Sequence, residues 1–125
     1  MNLGTTESAT IRRFRLSESF IDQYKEREVP WGPLGYVTFK RTYSRRLSEF
    51  DPEATGTEEW HQTCRRVIEG MFNVQKQHVR TLGLEWNDSK AQKTAKDAYD
   101  RLFNLKWTPP GRGLWMMGTK FIEER

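Results

Sequence analysis

At 125 residues the chain has room for one compact domain and not for two. Its hydrophobic share is only 35%, but aromatics reach 13%, which excludes a disordered polymer, and no run of about 18 apolar residues exists to span a membrane. The net charge of +4, from 21 basic and 17 acidic residues, admits polyanionic partners such as nucleotides, nucleic acid or an acidic protein surface, while the single Cys64 excludes an internal disulfide framework and fits a reducing compartment.

Residues 1–16 show weak periodicity and are expected to form a flexible N-terminal segment. Met1 to Thr10 lacks the apolar stretch of a secretory signal, so the cytoplasm is the expected location. A first helix is expected from Ser17, whose hydroxyl can cap the free amides. Phe20, Ile21 and Tyr24 share its apolar face, and Pro30 stops it. Trp31-Gly-Pro-Leu-Gly35 reads as a turn, and Tyr36-Val-Thr-Phe39 as a short strand, because those four residues favour extended backbone. Lys40 to Arg46 follows with four cations around Tyr43, and residues 48–56 read as a surface loop.

A long helix is predicted from near Thr57 to about Arg80. Trp60, Cys64, Val67, Ile68 and Met71 form its apolar stripe, with Arg65, Arg66 and Glu69 lying off it. Glu58 and Glu59 fall in its first turn, where carboxylates complement the helix dipole. Another helix is predicted from Ser89, where Ser89-Lys-Ala-Gln92 has the form of a capping box, to about Leu105 before Pro109 and Pro110. Its buried side is Ala91, Ala95, Ala98, Tyr99 and Leu102. Gly111-Arg-Gly113 is a tight turn leading into Leu114-Trp-Met-Met117, which reads as a strand buried on both faces. The chain thus divides into 1–16, a mainly helical region over 17–106 with a short strand near 36–39, and a turn and strand over 107–125.

Reactive groups are few. Cys64 sits inside an apolar stripe and is expected to be an inert core thiol. His61 and His78 lack partners at metal-ligand spacing, and no metal site is expected. No Ser-His-Asp set, phosphate-binding glycine loop or dinucleotide fingerprint appears. Lys40 to Arg46 has the composition to contact phosphates with Tyr43 stacking on a base, or to pair with acidic groups of the same protein. In Pro109-Pro-Gly-Arg-Gly-Leu-Trp-Met-Met-Gly-Thr119, Arg112 and neighbouring backbone amides are placed to border a ligand pocket, or else form a structural corner.

Three segments carry a family resemblance. Trp31-Gly-Pro-Leu-Gly-Tyr-Val-Thr-Phe-Lys-Arg-Thr-Tyr-Ser-Arg45 resembles the opening of adenosylcobalamin-dependent (class II) ribonucleoside-triphosphate reductases. Trp60 to Gly70, with its Arg-Val-Ile-Glu-Gly run, is similar to that family's first long helix, and Pro109 to Thr119 to the segment that enters its catalytic barrel. The resemblance implies a mainly α chain: an N-terminal helical region plus the first strand of a ten-stranded α/β barrel. It implies an allosteric radical oxidoreductase of deoxyribonucleotide biosynthesis and DNA replication, in which cobalamin initiates a cysteine thiyl radical and a thioredoxin-type reductant restores a cysteine pair. None of those cysteines falls on this chain, and Cys64 matches no catalytic position. The cofactor is therefore expected in a missing remainder, and this chain alone is expected to be inactive. Arg112 and Gly113 are the residues implied near the nucleotide substrate.

The partners implied are the rest of the reductase, on the same or a separate polypeptide, and no membrane. A lone barrel strand at 114–117 would expose a sticky edge, predicting poor solubility alone and loss of assembly on Trp115→Asp. The competing readings are a stand-alone basic helical module that binds nucleic acid and a non-catalytic interaction protein derived from the reductase.

Overall fold

The computed structural model describes residues 13–109, 114–115 and 117–119. Among the described residues the chain runs through α1 (Glu18–Asp22), α2 (Pro33–Thr42), α3 (Trp60–Thr81) and α4 (Asp88–Phe103), with a short 3-10 turn at Leu47–Glu49 between α2 and α3. No strand is formed among the described residues; an isolated antiparallel bridge joins Arg46 to Thr57.

The long pair α3 and α4 is the frame. Trp60 Nε1 donates to the Phe103 carbonyl at 3.0 Å and Tyr99 Oη to the His61 carbonyl at 2.9 Å, so the start of α3 meets the end of α4 and the two run antiparallel. The expected stripe is buried between them: Trp60, Cys64, Val67 and Ile68 from α3, and Ala91, Ala95, Tyr99 and Leu102 from α4. The alanines bring the two backbones close, and each large residue contributes of order 1.5–3 kcal/mol by leaving water. Both helices are capped by side chains. Glu59 and Gln62 form a reciprocal capping box on α3, and Asn87 Oδ1 accepts from the Lys90 amide on α4. The second cap lies two residues before the one expected at Ser89; Gln92 instead donates to the Arg15 carbonyl at 2.6 Å. Asn87→Ala should therefore cost about 1 kcal/mol, read as a lower urea midpoint, whereas Ser89→Ala should be near neutral.

α1 starts at Ser17 as expected, with Ser17 Oγ accepting from the Phe20 amide. α1 and the turn after it bring Phe20 and Tyr24 to the end of α4. There Tyr24 meets Tyr99 and Phe103 with ring centroids 4.8 and 5.0 Å apart, and its hydroxyl donates to Asp100 at 2.6 Å. Residues 13–16, expected to belong to a flexible segment, are instead strapped along α3. Phe14 and Leu16 are buried, and side chains replace a sheet ladder: Asn73 bonds both the amide and the carbonyl of Phe14, Glu69 accepts the Leu16 amide, and Arg65 donates to the Leu16 carbonyl.

Residues 36–39 correct the sequence expectation, being helical rather than extended. Gly32 caps α2, and Pro33 at its first position loses nothing by lacking an N–H there. Lys40 and Arg41 in its last turn complement the dipole, and Phe39 turns inward onto Trp31 and Trp60, with centroids 5.5 and 5.3 Å away. Local strand preference yields here to a helix start at Pro33 and to the burial of Phe39, although Leu34, Tyr36 and Val37 stay exposed and no strand lies alongside among the described residues.

At Leu114–Met117, where a strand is expected, the described residues form none, and Met116 lies outside them. Leu114 and Trp115 are in helical conformation and residues 117–119 make a turn. Leu114 enters the chain's own core and Trp115 is 41% exposed, its ring beneath the Arg45 guanidinium at 4.1 Å. The backbone of this stretch finds its partners in side chains of α3 rather than in a sheet, so the premise behind the predicted effect of Trp115→Asp, a charge placed in a doubly buried strand, does not hold.

Candidate functional site

The chemistry concentrates where α3 begins and residues 114–119 cross it. Glu58, one residue before the Glu59 cap, is 2% exposed, and Arg66, two helical turns further on, is 7% exposed. The pair is a side-on fork: Arg66 Nε donates to Glu58 Oε2 at 2.8 Å and Arg66 Nη2 to Oε1 at 3.0 Å. The rest of the guanidinium points at backbone. Nη2 also donates to the Leu114 carbonyl at 2.7 Å, while Nη1 reaches the carbonyls of Trp115 at 3.3 Å and Met117 at 2.8 Å. All five N–H donors of the arginine are thereby used.

Glu58 is equally engaged. Its Oε1 also accepts from Thr63 Oγ1 at 2.8 Å and from the Arg45 amide at 3.0 Å. Its carbonyl accepts from Ser44 Oγ at 2.7 Å and Lys40 Nζ at 2.9 Å. Two glycines let the segment come this close. A Cβ on Gly70 would lie 2.5 Å from the Gly118 nitrogen, and one on Gly118, whose φ is +81°, would lie 2.4 Å from the Arg66 carbonyl oxygen. Arg66, which the sequence places off the apolar stripe, is buried all the same. Thr63, Arg66 and Gly70 recur at spacings of three and four, a second buried stripe that the eye passes over because its members are polar or small.

A network in which every donor is spent holds backbone; it offers nothing to a phosphate or a reacting group. The other reactive side chains are no more available. Cys64 is sealed in the core, and burial pushes its thiol well above its ordinary value. Burial also lowers the pKa of the half-buried His61. His78 lies on α3 with Val74, Gln77, Arg80 and Thr81 along a cavity of about 470 Å³ walled by that one helix. Among the described residues no three potential ligands gather in a metal-binding group. In the basic stretch, Lys40 pairs with Glu59 at 3.1 Å, and Arg45 with Glu49 at 2.7 Å and with the Trp115 carbonyl at 3.1 Å. Two of the four cations thus neutralise their own chain. Arg112 and Gly113 lie outside the described residues.

Buried acids make the fold sensitive to alkali. Tyr24 is pushed up to about 12, first by burial and then by its bond to Asp100, and burial raises Tyr99 further still. With Cys64, these groups keep their protons when folded and release them near their ordinary values when unfolded. The unfolded state then holds fewer protons, so stability should fall as pH rises past about 9 and continue falling toward 12. Urea midpoints across that range check it; a flat profile would contradict the burial of these three groups.

The ribonucleotide reductase alpha domain family model matches residues 16–119. A probable adenosylcobalamin-dependent ribonucleoside-triphosphate reductase of Dictyostelium discoideum is 39% identical over 93% of this chain and 15% of the relative. The adenosylcobalamin-dependent ribonucleoside-triphosphate reductase of Lactobacillus helveticus is 40% identical over 87% of this chain and 14% of its own length. A crystal structure of a B12-dependent (class II) ribonucleotide reductase superposes with a TM-score of 0.72 at 35% identity, covering 90% of this chain and 15% of that one. The chain thus spans about one seventh of the length of these curated relatives.

Proposed function

The chain belongs to the ribonucleotide reductase alpha domain family, and from that premise we propose that it is the N-terminal portion of an adenosylcobalamin-dependent reductase that converts ribonucleotides to 2′-deoxyribonucleotides. In this reading it supplies structure and the remainder of the enzyme supplies the thiyl radical, the redox cysteines and the cofactor site. The observation that carries it is the shared fold and sequence over nearly the whole chain.

The side chains present support the division of labour. Cys64 is sealed from solvent, and Arg66 has no N–H to spare, so neither offers adenosylcobalamin or substrate a ligand. The cofactor, when bound elsewhere in the enzyme, supplies the radical-generating homolysis. Arg112 and Gly113 are proposed to border the nucleotide, and the partners are the rest of the reductase and a thioredoxin-type reductant in the cytoplasm. With Lys40 and Arg45 already paired, the nucleic-acid reading gains no support.

The test is to mix this chain with the complementary barrel polypeptide and assay deoxyribonucleotide formation with and without adenosylcobalamin. A complex that turns over only with the cofactor is expected, and neither piece should act alone. Absence of both complex and activity would refute the reading. A stable complex with unchanged, chain-independent activity would favour a non-catalytic interaction protein.

A further inference from the structure

The geometry points to Arg66 as a positioning residue: it sets the path of residues 114–119 across α3, and through them the placement of the catalytic polypeptide that the reductase reading puts beyond them. This deepens that reading and rests on it for its effect on turnover, but not for its effect on the segment. A buried salt bridge needs only two donors to satisfy Glu58. Arg66 directs its remaining three at carbonyls of Leu114, Trp115 and Met117. Buried backbone carbonyls need donors, and at Leu114, Trp115 and Met117 the guanidinium of Arg66 supplies them.

Other groups reinforce the contact. Gly118 lies against Gly70 so closely that neither position has room for a methyl group, and Arg45 also donates to the Trp115 carbonyl and lies over its ring. Lysine cannot substitute, because three donors on one nitrogen cannot span a carboxylate and three carbonyls pointing from different residues. The glutamate has a different task. It neutralises the guanidinium so that a charged fork can stand inside the fold at all.

That separation of tasks gives the experiment. Arg66→Lys keeps the charge and loses the fork. The double variant Glu58→Gln/Arg66→Met removes both charges, so no unpaired ion is left buried, but it also lacks the donors. Hydrogen exchange of the peptide covering residues 114–119 is compared with that of α3 and α4 in the chain, and turnover is then measured in the assembled reductase. The expected result is exchange in 114–119 about tenfold faster or more in both variants, with α3 and α4 in the double variant within about twofold of wild type. In the assembled enzyme, kcat should fall about tenfold or more while KM for the nucleotide moves by less than about twofold, a split that general loss of stability would not give.

Wild-type protection of 114–119 in the double variant would overturn the proposal, since charge balance alone would then suffice. Loosening without a change in kcat would overturn the positioning role. An inactive wild-type assembly would instead overturn the reductase reading, and the exchange result would still stand or fall by itself.

Discussion

Glu58→Ala is expected to destabilise the chain by roughly 3–5 kcal/mol, because it strands a guanidinium inside the protein. Arg66 is 5% exposed at its side chain and its partner 3%, so water cannot replace the lost carboxylate without opening the fold. The same change removes the acceptor of Thr63 Oγ1 and of the Arg45 amide. Against an ordinary domain stability of about 5–15 kcal/mol, this loss is large enough to leave much of the protein unfolded. Urea unfolding measures it directly. A cost under about 1 kcal/mol, the value of an exposed ion pair, would mean that the arginine swings out to solvent.

The second large effect is expected at Gly118. A valine there must adopt a left-handed backbone that costs about 1–2 kcal/mol, and its Cβ would lie 2.4 Å from the Arg66 carbonyl oxygen. Backbone cannot yield as a flexible side chain does, so the turn has to lift off α3. Gly118→Val should cost about 3 kcal/mol or undock residues 114–119, visible as rapid exchange of that peptide. Gly56 provides the control. Its φ is +86° but no atom lies within 4 Å of a Cβ, so Gly56→Val should show the backbone penalty alone. Equal losses at the two glycines would contradict close docking of the segment.

The sequence was most legible where one periodicity ruled. The stripe from Trp60 to Ile68 and the alanines at 91 and 95 announced the frame of α3 and α4, because a helix buried on one side must repeat its apolar residues every three or four positions. Cys64 was readable for the same reason. α2 was not, since Tyr36, Val37 and Phe39 favour strands locally while the helix is decided by Pro33 at its start and by Trp60, far along the chain, receiving Phe39. Leu114–Met117 failed on a different ground: a short apolar run has no period to distinguish helix from strand. Its partners here are the guanidiniums of Arg45 and Arg66, which no local pattern reveals.

The Glu58–Arg66 fork escaped because a charged residue is assumed to face water. The signal was the spacing of Thr63, Arg66 and Gly70, a small-and-polar stripe beside the apolar one, which marks a second face in contact with something. That something is the 114–119 segment. The family resemblance, by contrast, needed three motifs in register, and the agreement of order and spacing carried more than the local structure assigned to any of them.

In the proposed reading this chain builds and positions but does not react. The direct measurement is turnover of the assembled enzyme in which the chain's one thiol and two imidazoles, Cys64, His61 and His78, are replaced by Ala, Gln and Gln. Retention of kcat within about threefold is predicted, because the thiol is buried and neither imidazole is among the groups bonded to Glu58 or Arg66. A fall of about a hundredfold or more with unchanged folding would place a reacting group on this chain and contradict the account.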